Sequence, residues 1–211
     1  MKRKKTFRMM SFIFMLLLLF GTAACGEKEV AKEIDTLADA KSDLYESAAE
    51  LESAATLVVR AERTETAENV VKDLGVPNTQ YGYTLSMVKV NEIMKNTSGR
   101  DMAVGDEIRV LENQFTYVDD ENTKVTCHVN QYKMMEPGNE YFLYLYYSEN
   151  DEWYVTLSGL LGKVPVSETE DVLFPAEEIT FFQNQAVEDD DSYTRELLED
   201  IRRESLEKYN Q

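Results

Sequence analysis

The chain has 211 residues, with 22 Lys plus Arg against 40 Asp plus Glu, a formal charge of −18, two Cys and one His. With 43% hydrophobic and 10% aromatic residues it can bury a core, which excludes wholesale disorder, a collagen-like repeat and a disulfide scaffold, and its length suits one domain with appendages. The first 24 residues hold five basic residues and no acid, so the remainder sets 17 basic against 40 acidic residues, a balance of −23 that repels phosphates and argues against nucleic acid.

Met1 to Arg8 is basic, and Met9 to Phe20 is an unbroken apolar run of twelve, bounded by Gly21 and the small residues Thr22, Ala23 and Ala24. Twelve helical residues cover about 18 Å, well short of the ~30 Å hydrocarbon core, so 1–24 reads as a signal peptide rather than a spanning helix. The junction Thr22-Ala23-Ala24-Cys25 resembles the lipobox of bacterial lipoproteins. That resemblance implies that Cys25 becomes the first mature residue and carries the lipid (palmitate and its relatives), leaving 25–29 as a tether at the extracytoplasmic face of the cell membrane. Thr22 stands where the lipobox has an aliphatic residue, and plain secretion is the alternative; Cys25 would then be available to pair with Cys127 outside the cell. A lipid anchor would act through acyl chains, at ~0.8 kcal/mol per buried methylene, because anionic headgroups repel the acidic body.

Val30, Ile34, Leu37, Leu44, Ala48, Leu51 and Ala55 recur at spacings of three and four with one interruption at Lys41, which predicts an amphipathic helix over 30–55. The period then changes. Residues 56–62 read as a strand and 81–94 as a longer one, separated by a polar stretch with the turn signals Gly75, Pro77 and Asn78. In the longer strand Tyr83, Leu85 and Met87 share one parity and Val88 and Val90 the other, which predicts a β-bulge near residue 87. Residues 107–112 alternate as a half-buried strand, with Ile108 and Val110 on its inner face. Segments 115–117 and 124–132 flank the acidic turn Asp119 to Asn122, 140–147 and 152–157 form an aromatic hairpin, and 172–182 adds a last short strand. The whole predicts a mainly β fold with flanking helices: a small antiparallel barrel over 56–182, an acidic linker over 183–191 and a C-terminal helix over 192–209.

The succession LVVRAER, YTLSMVKVNEIMKN, VGDEIRVLEN, MEPGNEYFLYLYY and YVTLSGLLGKVPV resembles bacterial lipoprotein domains, chiefly of Gram-positive type, with a netrin-like or tissue-inhibitor-of-metalloproteinase-like barrel related to the OB-fold. The resemblance covers residues 51–166 and implies recognition of a protein or small ligand rather than chemistry. The inhibitor branch of that fold uses a free N-terminal Cys and supporting disulfides. An acylated Cys25 has no free amine and Cys127 has no second internal partner, so inhibition of metalloproteases does not carry over.

The lone His128 alternates with Val125, Cys127 and Val129, which places it on the outer face of its strand and Cys127 on the inner one. No nucleophile signature accompanies it, and a zinc site lacks its remaining ligands, so neither a cofactor nor a metal is expected. Asp119 to Glu121 and Glu188 to Asp191 offer clustered oxygens without the EF-hand order, and read as solvated charge. The candidate ligand-binding face is aromatic: Phe142, Tyr144, Tyr146 and Tyr154, read as lying opposite the barrel interior and either covered by a helix or open as a platform for a protein, peptide or glycan. The expected function is a non-enzymatic binding module at the cell surface; the alternative is a carboxylate-dependent envelope hydrolase, which needs a concave pocket holding a carboxylate of perturbed pKa.

Overall fold

Where the pattern changes from helical to alternating near residue 56, the chain enters the strands that make up most of the molecule. The computed structural model describes residues 30–75, 80–167, 169–175 and 190–210. The predicted signal peptide, Cys25, the 25–29 tether, the 176–182 end of the last predicted strand and 183–189 of the linker lie outside the described residues. The elements are β1 Lys32–Ala38, α1 Ala48–Ala54, β2 Leu57–Asp73, β3 Gln80–Asn96, β4 Glu107–Glu112, β5 Gln114–Val118, β6 Thr123–Val129, β7 Glu140–Ser148, β8 Trp153–Thr156, β9 Lys163–Pro165 and α2 Asp190–Tyr209.

Five strands close a barrel in the order β2-β3-β4-β8-β7, with β7 returning to β2 through the register Leu57↔Leu145 to Glu62↔Glu140. All pairs are antiparallel except β4–β8. This is the predicted mainly β, OB-like architecture with flanking helices. Alternation sends Leu57, Val59 and Ala61 inward from β2, Val88 and Val90 from β3, Ile108 and Val110 from β4, and Tyr141, Leu143 and Leu145 from β7 into one buried cluster. A second sheet, β1-β6-β5, flanks the barrel. Phe115 of β5 packs directly over Gly82, where a Cβ would stand 2.5 Å from the Phe ring and 2.6 Å from the Val70 carbonyl, so only glycine permits this approach.

The predicted helix over 30–55 is corrected to a strand, an irregular stretch and one short helix. Lys32–Ala38 pairs in parallel with β6 from Lys32↔Thr123 to Ala38↔Val129. The edge of β6 supplies main-chain partners that a helix here would leave unsatisfied, and Ile34 and Thr36 suit a strand as well as a helical stripe. The helix proper begins after Ser47, whose hydroxyl accepts from the Glu50 amide at 3.2 Å while the Glu50 carboxylate accepts from the Glu46 amide at 2.8 Å, a variant of the capping box.

The polar stretch after residue 62 is also corrected: β2 continues to Asp73 as one arm of a long hairpin with β3. Its side chains are mostly exposed, so no apolar alternation marks it. Main-chain pairing to β3 holds it instead, with a reciprocal pair in which Asn69 donates to the Thr116 carbonyl at 2.7 Å and accepts from the Thr116 amide at 2.8 Å. The bulge expected near residue 87 lies on the partner strand: the register jumps from Arg63↔Val88 to Ala67↔Ser86, so 64–66 of β2 bulge opposite Met87, and Thr64 Oγ1 donates to the Met87 carbonyl at 3.1 Å; β3 itself pairs with β4 without a shift from Thr84 to Lys89, and its parity changes because both of its faces are buried over 83–86.

Candidate functional site

The aromatic hairpin is mostly covered. Phe142 and Tyr144 are fully buried on the outer side of β7, in a cluster with Ala48, Leu51 and Ala55 of α1 and its C-cap and Leu197 and Ile201 of α2. The Tyr144 hydroxyl meets Ser205 Oγ at 2.7 Å, and the Phe142 and Tyr209 rings lie 5.4 Å apart. The helices are joined to one another as well: Glu204 of α2 accepts from the Ala48 amide at 2.9 Å, and Lys208 pairs with Glu52. Tyr146 remains 41% exposed and is not part of that cluster. Tyr154 falls on the opposite face from the one predicted. It pairs with Tyr147 across the β7–β8 ladder, so it shares the face of Tyr141, Leu143 and Leu145 and closes the barrel core. The four predicted residues thus form no single surface.

His128 is corrected from an outer surface residue to a buried one, only 3% exposed. The segment after Val172 folds over it, stacking Phe174 on the imidazole at 3.8 Å, and the ring nitrogens bind the Tyr132 carbonyl at 3.0 Å and Asp35 of β1 at 2.9 Å. Both ring nitrogens are engaged. Cys127 is buried as predicted, and burial pushes its thiol up to about 11, where it is a poor nucleophile. In the acidic turn the Asp119 carboxylate accepts from the amides of Glu121 and Thr123 at 2.9 and 2.8 Å, so it is spent on its own hairpin. Glu188 and Asp189 lie outside the described residues.

Glu112 and Lys163 form a buried polar network that the sequence reading passed over. In EIRVLE, Glu112 has the parity of Ile108 and Val110, and that alternation was the available signal. Its carboxylate accepts from the Tyr132 hydroxyl at 3.1 Å, the Met135 amide at 2.6 Å and Ser86. Burial pushes its carboxyl above the ordinary range, opposed by the charge of Lys163 and these hydrogen bonds. Burial likewise holds the Lys163 amine down, to about 8, although Glu112 pulls the other way; the amine lies 3.8 Å from the centroid of the Tyr132 ring and donates to the Lys133 carbonyl. Tyr132 and Tyr141 are both pushed up, first by burial. Glu112 lines neither of the two clefts described next.

One cleft, of about 250 Å³, lies between β9, residues 169–173 and α2. Each of its three cations has a partner: Arg195 pairs with Asp171 at 3.6 Å, Arg202 donates to the Ser167 carbonyl, and Lys163 donates to the Lys133 carbonyl. The larger cleft, of about 400 Å³, sits at the mouth of the barrel, where β4 and β8 begin. Tyr147 and Tyr154, their rings edge to face at 5.0 Å, line its inner side, Trp153 on the opposite face of β8 packs on Tyr83 at 5.4 Å, Met87 and Met102 lie beside them, and Arg100, Arg109, Asp101, Asp106, Glu107 and Glu152 bring charge. Alternation explains the mixture, because Ile108 points into the core while Glu107 and Arg109 point out. Arg100 lies 3.6 Å over the Tyr147 ring and donates to both Glu149 oxygens at 3.2 and 3.3 Å. Of the predicted aromatic residues, Tyr154 alone lines this cleft.

Comparisons of the chain with protein-family models, curated proteins and solved structures gave no match.

Proposed function

We propose that the protein is a lipid-anchored, extracytoplasmic binding module of the cell surface, held at Cys25 and recognising its partner, a protein, peptide or glycan, at the barrel-mouth cleft without catalysing a reaction. The observation that carries the reading is the cleft itself: an open concavity that combines aromatic side chains with charged groups at a barrel end, where binding folds place their ligands. The netrin-like resemblance of residues 51–166 points the same way. A hydrolase working through carboxylates would need its raised carboxyl within reach of substrate; Glu112 is raised but fully enclosed, with its hydrogen bonds already made. His128 is likewise enclosed, with both nitrogens engaged.

The topology suits display from a membrane. Seven residues lead from Cys25 to Lys32, at most about 25 Å of extended chain. The start of β1 sits beside the β5–β6 turn through Lys32↔Thr123. From the cleft, β4 and then β5 run along β3 toward that turn, passing Glu107 opposite Lys89 and Phe115 over Gly82. A tether attached at β1 would thus join the folded domain at its β5–β6 end, the end opposite the mouth cleft. Two measurements test the reading. Radiolabelled palmitate should enter the wild-type protein and not Cys25→Ser; labelling of both, or of neither, refutes the anchor. An envelope partner should co-purify with the wild type and be lost with Trp153→Ala; release of peptidoglycan or peptide fragments by the purified protein, with no partner retained, refutes the binding module.

A further inference from the structure

The His128 ring is flanked by two groups that only accept hydrogen bonds. Its Nδ1 lies 3.0 Å from the Tyr132 carbonyl and its Nε2 2.9 Å from an Asp35 carboxylate oxygen. A neutral imidazole carries one N–H and an imidazolium two, so the neutral ring satisfies one of these acceptors and turns a bare nitrogen to the other, whereas the protonated ring donates to both. The ring is enclosed under Phe174, its side chain 4% exposed, so a donor lost here is not readily replaced by water. The strand that this ring holds has few other ties. β1 is the edge of the β1-β6-β5 sheet and meets β6 through seven parallel pairs. Glu33 and Lys124 add a surface ion pair at 3.2 Å, the Asn130 side chain bonds the Ala40 amide and carbonyl at 2.8 and 2.9 Å, and residues 39–44, leading on to α1, are all exposed. The other charged groups on the elements around the ring are committed elsewhere: Lys124 to Glu33, Lys133 to Glu136, Asp171 to Arg195, and Glu170 to Tyr141 and Asn139. Gln114 of β5, opposite His128, is uncharged, and Cys127 and Tyr117 lie on the other face of the sheet.

We propose that Asp35 and His128 form a pH-operated latch on β1: the protonated ring clamps the strand onto β6, and loss of its proton to solvent loosens the strand. Histidine is the side chain suited to such a change, because ambient pH sets its charge in the physiological range. The latch is present on the acid side and weakens as pH rises, since only the protonated ring serves both acceptors. Its effect on reach rests on the anchor at Cys25 proposed above. With β1 docked, the seven residues to Lys32 span at most about 25 Å; with β1 free, the chain from Cys25 to Ala48 of α1 spans roughly 80 Å.

His128 is the single histidine of the chain, so its ring can be observed on its own. In the full mature protein, isotope-labelled at histidine, both ring nitrogens should show imidazolium shifts by NMR at about pH 5.5. From there to about pH 7.5, below the range in which Lys163 loses its proton, amide protection over 32–38, corrected for intrinsic exchange, should fall about tenfold while that of β7 holds. Asp35→Asn, a change at a half-exposed side chain, should remove the dependence and leave β1 at the weaker protection throughout. A neutral ring at about pH 5.5, unchanged protection of 32–38 across the window, a fall shared equally by β7, or a dependence that survives Asp35→Asn overturns the latch. The palmitate measurement decides the anchor independently: the same pH response in a protein that takes up no palmitate upholds the latch and removes only its effect on reach.

Discussion

Truncating Phe142 and truncating Tyr146 should differ sharply, although four residues apart on one strand they share a parity. Phe142 has no exposed surface and touches the Tyr209 ring of α2 at 5.4 Å within the cluster that both helices complete. Tyr146 is 41% exposed. Phe→Ala in a closed core costs about 3–5 kcal/mol from lost transfer energy and the cavity left behind. In a domain of this size each kcal/mol moves the midpoint by about 2–4 °C, so Phe142→Ala should lower Tm by about 10 °C. Tyr146→Ala should cost less than about 1 kcal/mol, as surface changes do. Between them, Tyr144→Phe removes only the hydroxyl shared with Ser205, about 1 kcal/mol. Thermal unfolding of the mature protein followed by circular dichroism measures all three. The reasoning is refuted if Phe142→Ala and Tyr146→Ala lower Tm equally, or if Phe142→Ala leaves it unchanged, because α2 would then not be the cover of β7.

Lys163 gives a pH prediction. Its folded amine is held down to about 8, so between there and the ordinary lysine range the unfolded chain carries a proton that the folded chain lacks. Stability should rise by about 2 kcal/mol from pH 8 to 9.5 and the rise should vanish in Lys163→Met; denaturant titrations across that window decide it. Glu140 works in the opposite sense: the hydrogen bond from Arg60 holds its carboxyl below the usual range, so its contribution is present above that range and lost as acid protonates it. Glu140→Gln should flatten the acid limb by less than about 1 kcal/mol, since the pair is about one-third exposed. Gly82→Ala should cost at least about 1–3 kcal/mol and raise amide exchange in β5, because the Val70 carbonyl cannot move aside cheaply.

Barrel strands with an apolar inner face were legible because period two and a one-sided core go together, as in Ile108 and Val110 or Leu143 and Leu145. What escaped lies where a different force decides. β1 and the far arm of β2 are held by main-chain pairing to a waiting edge, which leaves little trace in side-chain pattern. Tyr154 faces the core because the two-stranded ladder, and not parity within one strand, sets which face it shares, and its register opposite Tyr147 depends on the turn geometry. His128 has the outward parity predicted for it, and only a distant segment carrying Phe174 turns that outside into an inside. Glu112 is the converse, a carboxylate at an inward position whose parity was plain and whose charge argued against the burial that Tyr132, Met135 and Ser86 make tolerable. The mouth cleft draws on β3, β4, β7, β8 and the loops before β4 and β8, and no single stretch of sequence contains enough of it to announce it.

The most direct test of the mouth cleft as the binding face is photocross-linking in living cells, with a benzoylphenylalanine placed at residue 109 in the cleft or at residue 124 beside the start of β1. A partner adduct that forms from 109 and not from 124, and that disappears with Trp153→Ala, is the predicted result. Adducts from 124 alone, or adducts from 109 that Trp153→Ala leaves intact, would contradict it.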